Sequence, residues 1–159
     1  MKFFFNKLYP ICRSITGKGF VKSLQILNEI EKINFIKVKT GTKVLDWIVP
    51  KEWNIEDGYI LYNHKKIVDF KKHSLHVLNY SDKVDKFCNY KELKKHLYTL
   101  PKLPNAIPYV HSYYDRKWGF ALKHNQFKKL NKNGNYRVVI KSSFKNGNLT
   151  YSNNLIKGK

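Results

Sequence analysis

Apolar and polar positions change period along this chain. From Phe20 to Ile33, the apolar residues Val21, Leu24, Ile26, Leu27, Ile30 and Ile33 recur mainly at steps of three and four. That spacing predicts an amphipathic helix, entered from the loop Thr16-Gly17-Lys18-Gly19. After Asn34 the period becomes two. Phe35 to Lys39 reads as one strand and Val44 to Val49 as a second, stopped by Pro50. Tyr59 to Tyr62, Lys66 to Asp69 and Leu75 to Leu78 read as further short strands, separated by Asn, Asp and Gly. Lys91 to Tyr98 reads as helix and Thr99 to Pro108, with three Pro, as a rigid irregular connection. Trp118 to Leu122 reads as strand, Asn125 to Leu130 as helix and Asn131 to Gly134 as turn. Tyr136 to Phe144 and Leu149 to Tyr151 read as a hairpin about Asn146-Gly147-Asn148. The expected fold class is mainly β with a few helices (α+β). A sandwich-like or barrel-like β-rich domain over 35–159 follows a helical segment over 1–34. The apolar face of the Phe20–Ile33 helix calls for a partner surface.

Composition agrees with a packed core: 42% of residues are apolar and 15% aromatic, in a chain of 159. No apolar run is long enough to span a membrane. Met1 to Phe5 is too short for a signal-peptide core, so the cytoplasm is the expected compartment. The net charge of +20 would ordinarily point to a polyanion, but 28 of the 31 basic residues are Lys and none form a long block. Arg is the residue of bidentate phosphate and base recognition. The charge therefore reads mainly as the mark of an AT-rich genome, and nucleic acid is not the expected partner. Cys12 and Cys88 are the only cysteines and read as two small buried thiols.

Six stretches are dense in residues that are hard to replace: LYPICRSITGKG (Leu8–Gly19), TGTKVLDWIVPKEWNI (Thr40–Ile55), KIVDFKKHSLHVLNYS (Lys66–Ser81), ELKKHLYTLP (Glu92–Pro101), IPYVHSYYDRKWGFAL (Ile107–Leu122) and GNLTYSNNLIKG (Gly147–Gly158). In this order they resemble the N-terminal part of a bacterial aminopeptidase-like family, often encoded in polysaccharide-biosynthesis clusters. The resemblance implies a longer protein: an α/β zinc-peptidase domain interrupted by a β-rich insert, with a winged-helix module at its C-terminus. It implies that the first helix here belongs to that peptidase domain and that the zinc ligands lie beyond the point matching Gly158. Zinc is thus the cofactor of the full-length family, and none is expected in this chain. The expected partner is the remainder of the peptidase-like protein, with a homo-oligomer left open. The chain departs from the family pattern at His111, where members carry Thr, at Ala121, where they carry Cys, and at Ser152-Asn153, where they carry Gly-Glu.

No catalytic set or metal site is read from the residues. His73 and His76 form an H-x-x-H pair without an intervening Glu, and on a strand they would face opposite ways. Ser14 and Ser112 lack the nucleophile-elbow motif and an orienting Asp. Asp82 and Asp85 read as turn caps. The pocket-lining candidates are Arg13, His76, Tyr109, Tyr113, Tyr114 and Trp118. The four aromatics crowd the Pro-rich connection, where rings can stack on sugar or peptide groups or pack a core. Arg13, scarce in a Lys-dominated chain, suits a carboxylate or a salt bridge. Trp47, Pro50 and Trp53 read as structural, with Trp47 buried in the β core and Trp53 pinning the turn. Two functions are open: an accessory, substrate-gating segment of a zinc aminopeptidase-like protein, inactive alone, or a free-standing basic domain for polyanions.

Overall fold

The computed structural model describes residues 2–155 and Gly158. In chain order the elements are helix α1 (Lys2–Leu8), helix α2 (Lys18–Asn28), strands β1 (Asn34–Lys39), β2 (Lys43–Val44), β3 (Trp47–Ile48), β4 (Glu52–Tyr62) and β5 (Lys65–Asp69), and a 3-10 turn at Ser74–His76. Strand β6 (Val84–Asn89), helix α3 (Tyr90–Lys94), strands β7 (Leu97–Tyr98) and β8 (Phe120–Ala121), helix α4 (His124–Lys128) and strands β9 (Asn135–Lys145) and β10 (Asn148–Asn153) follow. Among the described residues the fold is mainly β, with four helices and no closed barrel. It divides into one unit of Met1–Asn54 with Phe144–Lys159, and another of Ile55–Ser143.

In the first unit, β1 and β10 pair antiparallel, from Asn34 opposite Asn153 to Lys39 opposite Asn148. The turn at Asn146-Gly147-Asn148 therefore delivers β10 to β1, rather than closing a two-stranded hairpin with β9. Thr40 fixes this junction. Its N–H donates to the Gly147 carbonyl (3.0 Å), and its hydroxyl accepts from the Gly147 N–H (3.1 Å) and donates to the Pro50 carbonyl (3.1 Å). The run Val44 to Val49 is not one strand. It folds back on itself as the β2–β3 hairpin, with Leu45 at φ 54° in its turn. Leu45 and Ile48 are consequently exposed, and Trp47 is only half-buried, contrary to its expected place in the core. Trp53 is the buried indole, at 3% exposure.

The loop before α2 is hung on the start of β4. The Trp53 N–H donates to the Thr16 hydroxyl (3.1 Å), and the Lys18 N–H donates to Asn54 Oδ1 (2.8 Å). Helix α2 buries Ser23, Leu24 and Ile26 but leaves Leu27 partly exposed. It ends at Asn28, sooner than its sequence period suggests, so Ile30 and Ile33 lie beyond it. Helix α1, not foreseen from MKFFF, has no buried residue and exposes Phe3 and Phe5.

The second unit is built on a four-stranded sheet in the order β5-β4-β9-β6, whose strands β4 and β9 begin or end in the first unit. Its core holds Ile60, Val68, Val77, Leu93, Phe120 and Tyr136, all essentially dry. Burying such apolar surface is the dominant stabilising term. Strand β6 replaces the turn expected around Asp82 and Asp85. Val84, Lys86 and Cys88 face inward, while Asp85, Phe87 and Asn89 face outward. On the exposed outward face, Arg137 of β9 grips Asp85 with two nitrogens (3.0 and 3.1 Å) and lies over the Phe87 ring. The expected strand at Leu75–Leu78 is a 3-10 turn, after which Val77 bridges Phe120. The expected helix Lys91–Tyr98 stops at Lys94, and its last residues form β7, parallel to β8.

Candidate functional site

Three Pro between Pro101 and Pro108 bar regular structure, so the chain reaches Tyr109 as an irregular connection that must borrow its backbone partners. It borrows them from His76–Ser81. The Asn79 N–H donates to the Val110 carbonyl (3.1 Å), and the Ser112 N–H donates to the Asn79 carbonyl (2.9 Å). These bonds form an isolated parallel bridge that sets Asn79 beside His111. The buried Ser112 hydroxyl adds a bond to the Tyr80 carbonyl (2.9 Å). Tyr80 itself is buried at φ 64°, a left-handed conformation that a bulky residue adopts only under strong local constraint.

On this base four rings gather. The Tyr109 and Tyr113 hydroxyls are 2.6 Å apart. The His111 ring stacks on Tyr113, with centroids 4.3 Å apart and planes 15° apart. Tyr113 meets Tyr80 edge to face at 5.0 Å, and Tyr109 leans on His111 at 6.0 Å. The side-chain carbonyl of Asn79, the bridge partner of His111, is buried without a hydrogen-bond partner. The platform presents aromatic faces, phenol hydroxyls and an imidazole at the surface.

Of the sequence candidates, only Tyr109 and Tyr113 meet here. Tyr114, 82% exposed, points away from any core. Trp118 belongs to a packing cluster: His96 stacks on it at 3.6 Å and 17°, and His96 Nδ1 donates to its backbone carbonyl (3.1 Å). Lys86 lies over the Trp118 ring at 5.2 Å while paired with Glu92. His76 is buried, and its Nδ1 donates to the Ala121 carbonyl (2.7 Å), which fixes the tautomer and gives the ring a structural task. Sequence reasoning missed Asn79, Tyr80 and His111 as members of the platform. The signal was the Asn-Tyr-Ser run within Lys66–Ser81, whose meaning depends on a bridge to residues some thirty positions on.

Arg13 lies in the other unit, exposed, with its guanidinium donating to the Leu8 carbonyl (2.5 Å). It lines a groove of about 600 Å³ with Phe4, Phe5, Leu8, Tyr9, Leu27 and Ile30. Cys12, close by in sequence, is pushed up to about 11 by burial, against the lowering effect of Arg13, so its thiol stays protonated at neutral pH.

Among the described residues, no group of three or more His, Cys, Asp or Glu could hold a metal ion. His73 and His76 come within 6.0 Å between ring centroids, each bonded to backbone through Nδ1, and the pair has no third His, Cys, Asp or Glu beside it among the described residues.

Buried His76 and partly buried His96 make stability pH-dependent. Burial is the largest influence on both His76 and His96 and holds each below the ordinary value of 6.5, outweighing the bonds to backbone carbonyls that act the other way. The unfolded state then binds more protons than the native state below that value. Stability from these groups is full above 6.5 and is lost as pH falls through the lowered native values. Asp85 and Glu92, held low by bonds to Arg137 and Lys86, act in the same sense only at lower pH. Urea midpoints are expected to fall from about pH 7.5 to about pH 5.5 in the native chain and to fall less in His76→Asn. An equal fall in both would remove His76 from this account.

Comparisons with known proteins fit the geometry. Residues 52–143 match the model of a family described as a domain of unknown function (DUF2172). A relative from Clostridium acetobutylicum, provisionally described as a polysaccharide biosynthesis protein with an aminopeptidase-like domain, is 46% identical over 97% of this chain, which spans 36% of its length. A crystal structure of a protein from Clostridium acetobutylicum, provisionally described as a peptidase, superposes on 94% of this chain at a TM-score of 0.90 and 46% identity. The chain covers 35% of that protein. No helix among the described residues is long and apolar enough to cross a membrane. The chain belongs to the DUF2172 family, in register with the N-terminal resemblance carried by its six motifs.

Proposed function

We propose that this chain is an accessory segment of an aminopeptidase-like protein, seated against the rest of that protein and governing what reaches its active centre. The observation that carries the reading is the apolar groove between α1 and α2. Phe5 and Ile30 stand 69% and 52% exposed there, with no covering element among the described residues. Exposed apolar patches of this kind mark interaction surfaces. The relative extends well beyond the 36% matched here, so it holds ample sequence to supply the cover. Zinc ligands and the metal-activated water would then belong to that remainder, and this chain alone would hydrolyse nothing. The polyanion-binding alternative draws only on the +20 net charge.

A chimera tests the seating. In it, this chain replaces the matching portion of the Clostridium acetobutylicum relative. In the isolated chain, Phe5→Asp and Ile30→Asp sit on exposed positions and should stay within about 0.5 kcal/mol of neutral in urea melts. In the chimera the same changes put a charge into a covered groove and should cost on the order of 3 kcal/mol. Phe87→Asp, on an exposed ring of the other unit, is the control and should be mild in both. Near-neutral groove variants in the chimera would remove the docking surface.

A further inference from the structure

Strand β1 has a neighbouring strand on one side only. It pairs with β10 in a two-stranded sheet, within the unit of Met1–Asn54 and Phe144–Lys159. An unpaired sheet edge presents a row of N–H and C=O groups that can template a further strand, and two strands alone make a marginal sheet.

The register identifies those groups. The Thr40 N–H donates to the Gly147 carbonyl (3.0 Å), one step beyond the pair Lys39–Asn148. Opposite residues in an antiparallel ladder alternate between pairs that exchange such bonds and pairs whose N–H and C=O point away. In steps of two from Thr40, the bonded pairs are Val38–Leu149, Ile36–Tyr151 and Asn34–Asn153. Phe35, Lys37 and Lys39 therefore turn their N–H groups out from β1, and Asn148, Thr150 and Ser152 turn theirs out from β10.

The two edges differ. On β10, Asn148 and Ser152 are half-buried and Thr150 is 4% exposed, in the strand on which α2 packs. On β1, Phe35, Lys37 and Lys39 are all exposed. The backbone groups of Phe35 and Lys37 meet no hydrogen-bond partner among the described residues. The edge of β1 is thus the open one, and its backbone groups are matched by the backbone of another strand. A second copy of this chain is a poor occupant. It would bring its own Lys37 and Lys39 to the same edge, and like charges oppose the pairing. The Clostridium acetobutylicum relative has ample further sequence to supply a strand, since this chain spans 36% of its length.

We infer that the outer edge of β1 receives a β-strand from the remainder of the aminopeptidase-like protein, bonded to the backbone of Phe35 and Lys37. The inference rests on the accessory reading and names a second kind of contact in it, a shared sheet beside the apolar groove of the same unit.

Residue-resolved hydrogen exchange tests it in the isolated chain and in the chimera. In the isolated chain, the Phe35 and Lys37 amides are expected to exchange at least about tenfold faster than those of Ile36 and Val38. In the chimera the same two amides are expected to slow about tenfold or more. Lys37→Pro removes an outward N–H. It should leave the urea midpoint of the isolated chain nearly unchanged and lower that of the chimera. Val38→Pro removes a bond to Leu149 and should lower both. The exchange comparison uses unsubstituted proteins, so it decides the matter however the proline variants fold. Phe35 and Lys37 amides that exchange equally fast in both proteins overturn the inference. Costly Phe5→Asp and Ile30→Asp in that chimera would then show that the seating itself stands. Slow exchange at Phe35 and Lys37 in the isolated chain that quickens on dilution would assign the edge to a second copy and overturn the inference equally.

Discussion

Trp53→Ala is expected to cost about 3–5 kcal/mol, the range for emptying a core aromatic site. The indole is 3% exposed, and the backbone N–H of the same residue holds the Thr16 hydroxyl that anchors the loop before α2. Truncation leaves a cavity at the point where that loop meets β4, and the surroundings are tied by hydrogen bonds and cannot collapse freely. A loss of this size is a large share of the stability of so small a protein. Trp47→Ala is expected to cost much less, about 1 kcal/mol, because its ring is half-buried on a hairpin only two residues deep on each side. Urea melts followed by circular dichroism compare the two. Equal costs would mean that the β2–β3 hairpin, and not the Thr16–Trp53 junction, secures this unit.

Gly17→Ala is the second large effect. Gly17 sits at φ 98° and ψ 171°, a region open to glycine and closed to residues with a Cβ. An added Cβ would also stand 2.1 Å from the Trp53 carbonyl oxygen, a backbone atom that cannot move aside without breaking the start of β4. Strain and overlap together should cost about 3 kcal/mol or more. Gly41 separates the two contributions. It shares a positive φ, 86°, but an added Cβ there meets nothing within 4 Å. Gly41→Ala should therefore show strain alone, about 1–2 kcal/mol. If Gly17→Ala were as mild as Gly41→Ala, the loop would not be docked on Trp53 as described.

Short runs of β-branched and aromatic residues bounded by turn residues could be read directly: β1, the end of β4 and β5 lie where the sequence places strands. Strand β6 escaped because its pattern is inverted in chemistry though not in geometry. Lys86 faces inward because Glu92 and the Trp118 ring receive it, and Phe87 faces outward, where Arg137 lies over a ring that stays largely exposed. Those partners come from other elements, and no local window contains them. Val44 to Val49 misled for another reason: only Asp46 interrupts its apolar residues, and the turn at Leu45-Asp46 folds it in two. Strand β10 was legible as a strand, but its ladder partner was not, since Thr40 captures Gly147 across 107 positions.

The same division holds at the site. Tyr109 and Tyr113 stood out because aromatics crowded into a Pro-rich segment have few regular ways to bury themselves. Asn79 and Tyr80 did not, because their role comes from a parallel bridge to His111 and a left-handed φ, neither of which leaves a local trace. His76, Trp118 and Arg13 were noticed for their chemistry, yet each is occupied separately, with the Ala121 carbonyl, His96 and the Leu8 carbonyl respectively.

The most direct measurement of the central claim sets three proteins side by side: the purified chain, the Clostridium acetobutylicum relative and the chimera. Bound zinc is measured in each by atomic emission, and hydrolysis of aminoacyl p-nitroanilides is measured on the same samples. The chain alone is expected to hold no stoichiometric zinc and to show no hydrolysis above background, and the chimera is expected to match the activity of the relative. Zinc-dependent hydrolysis by the isolated chain would contradict the central claim.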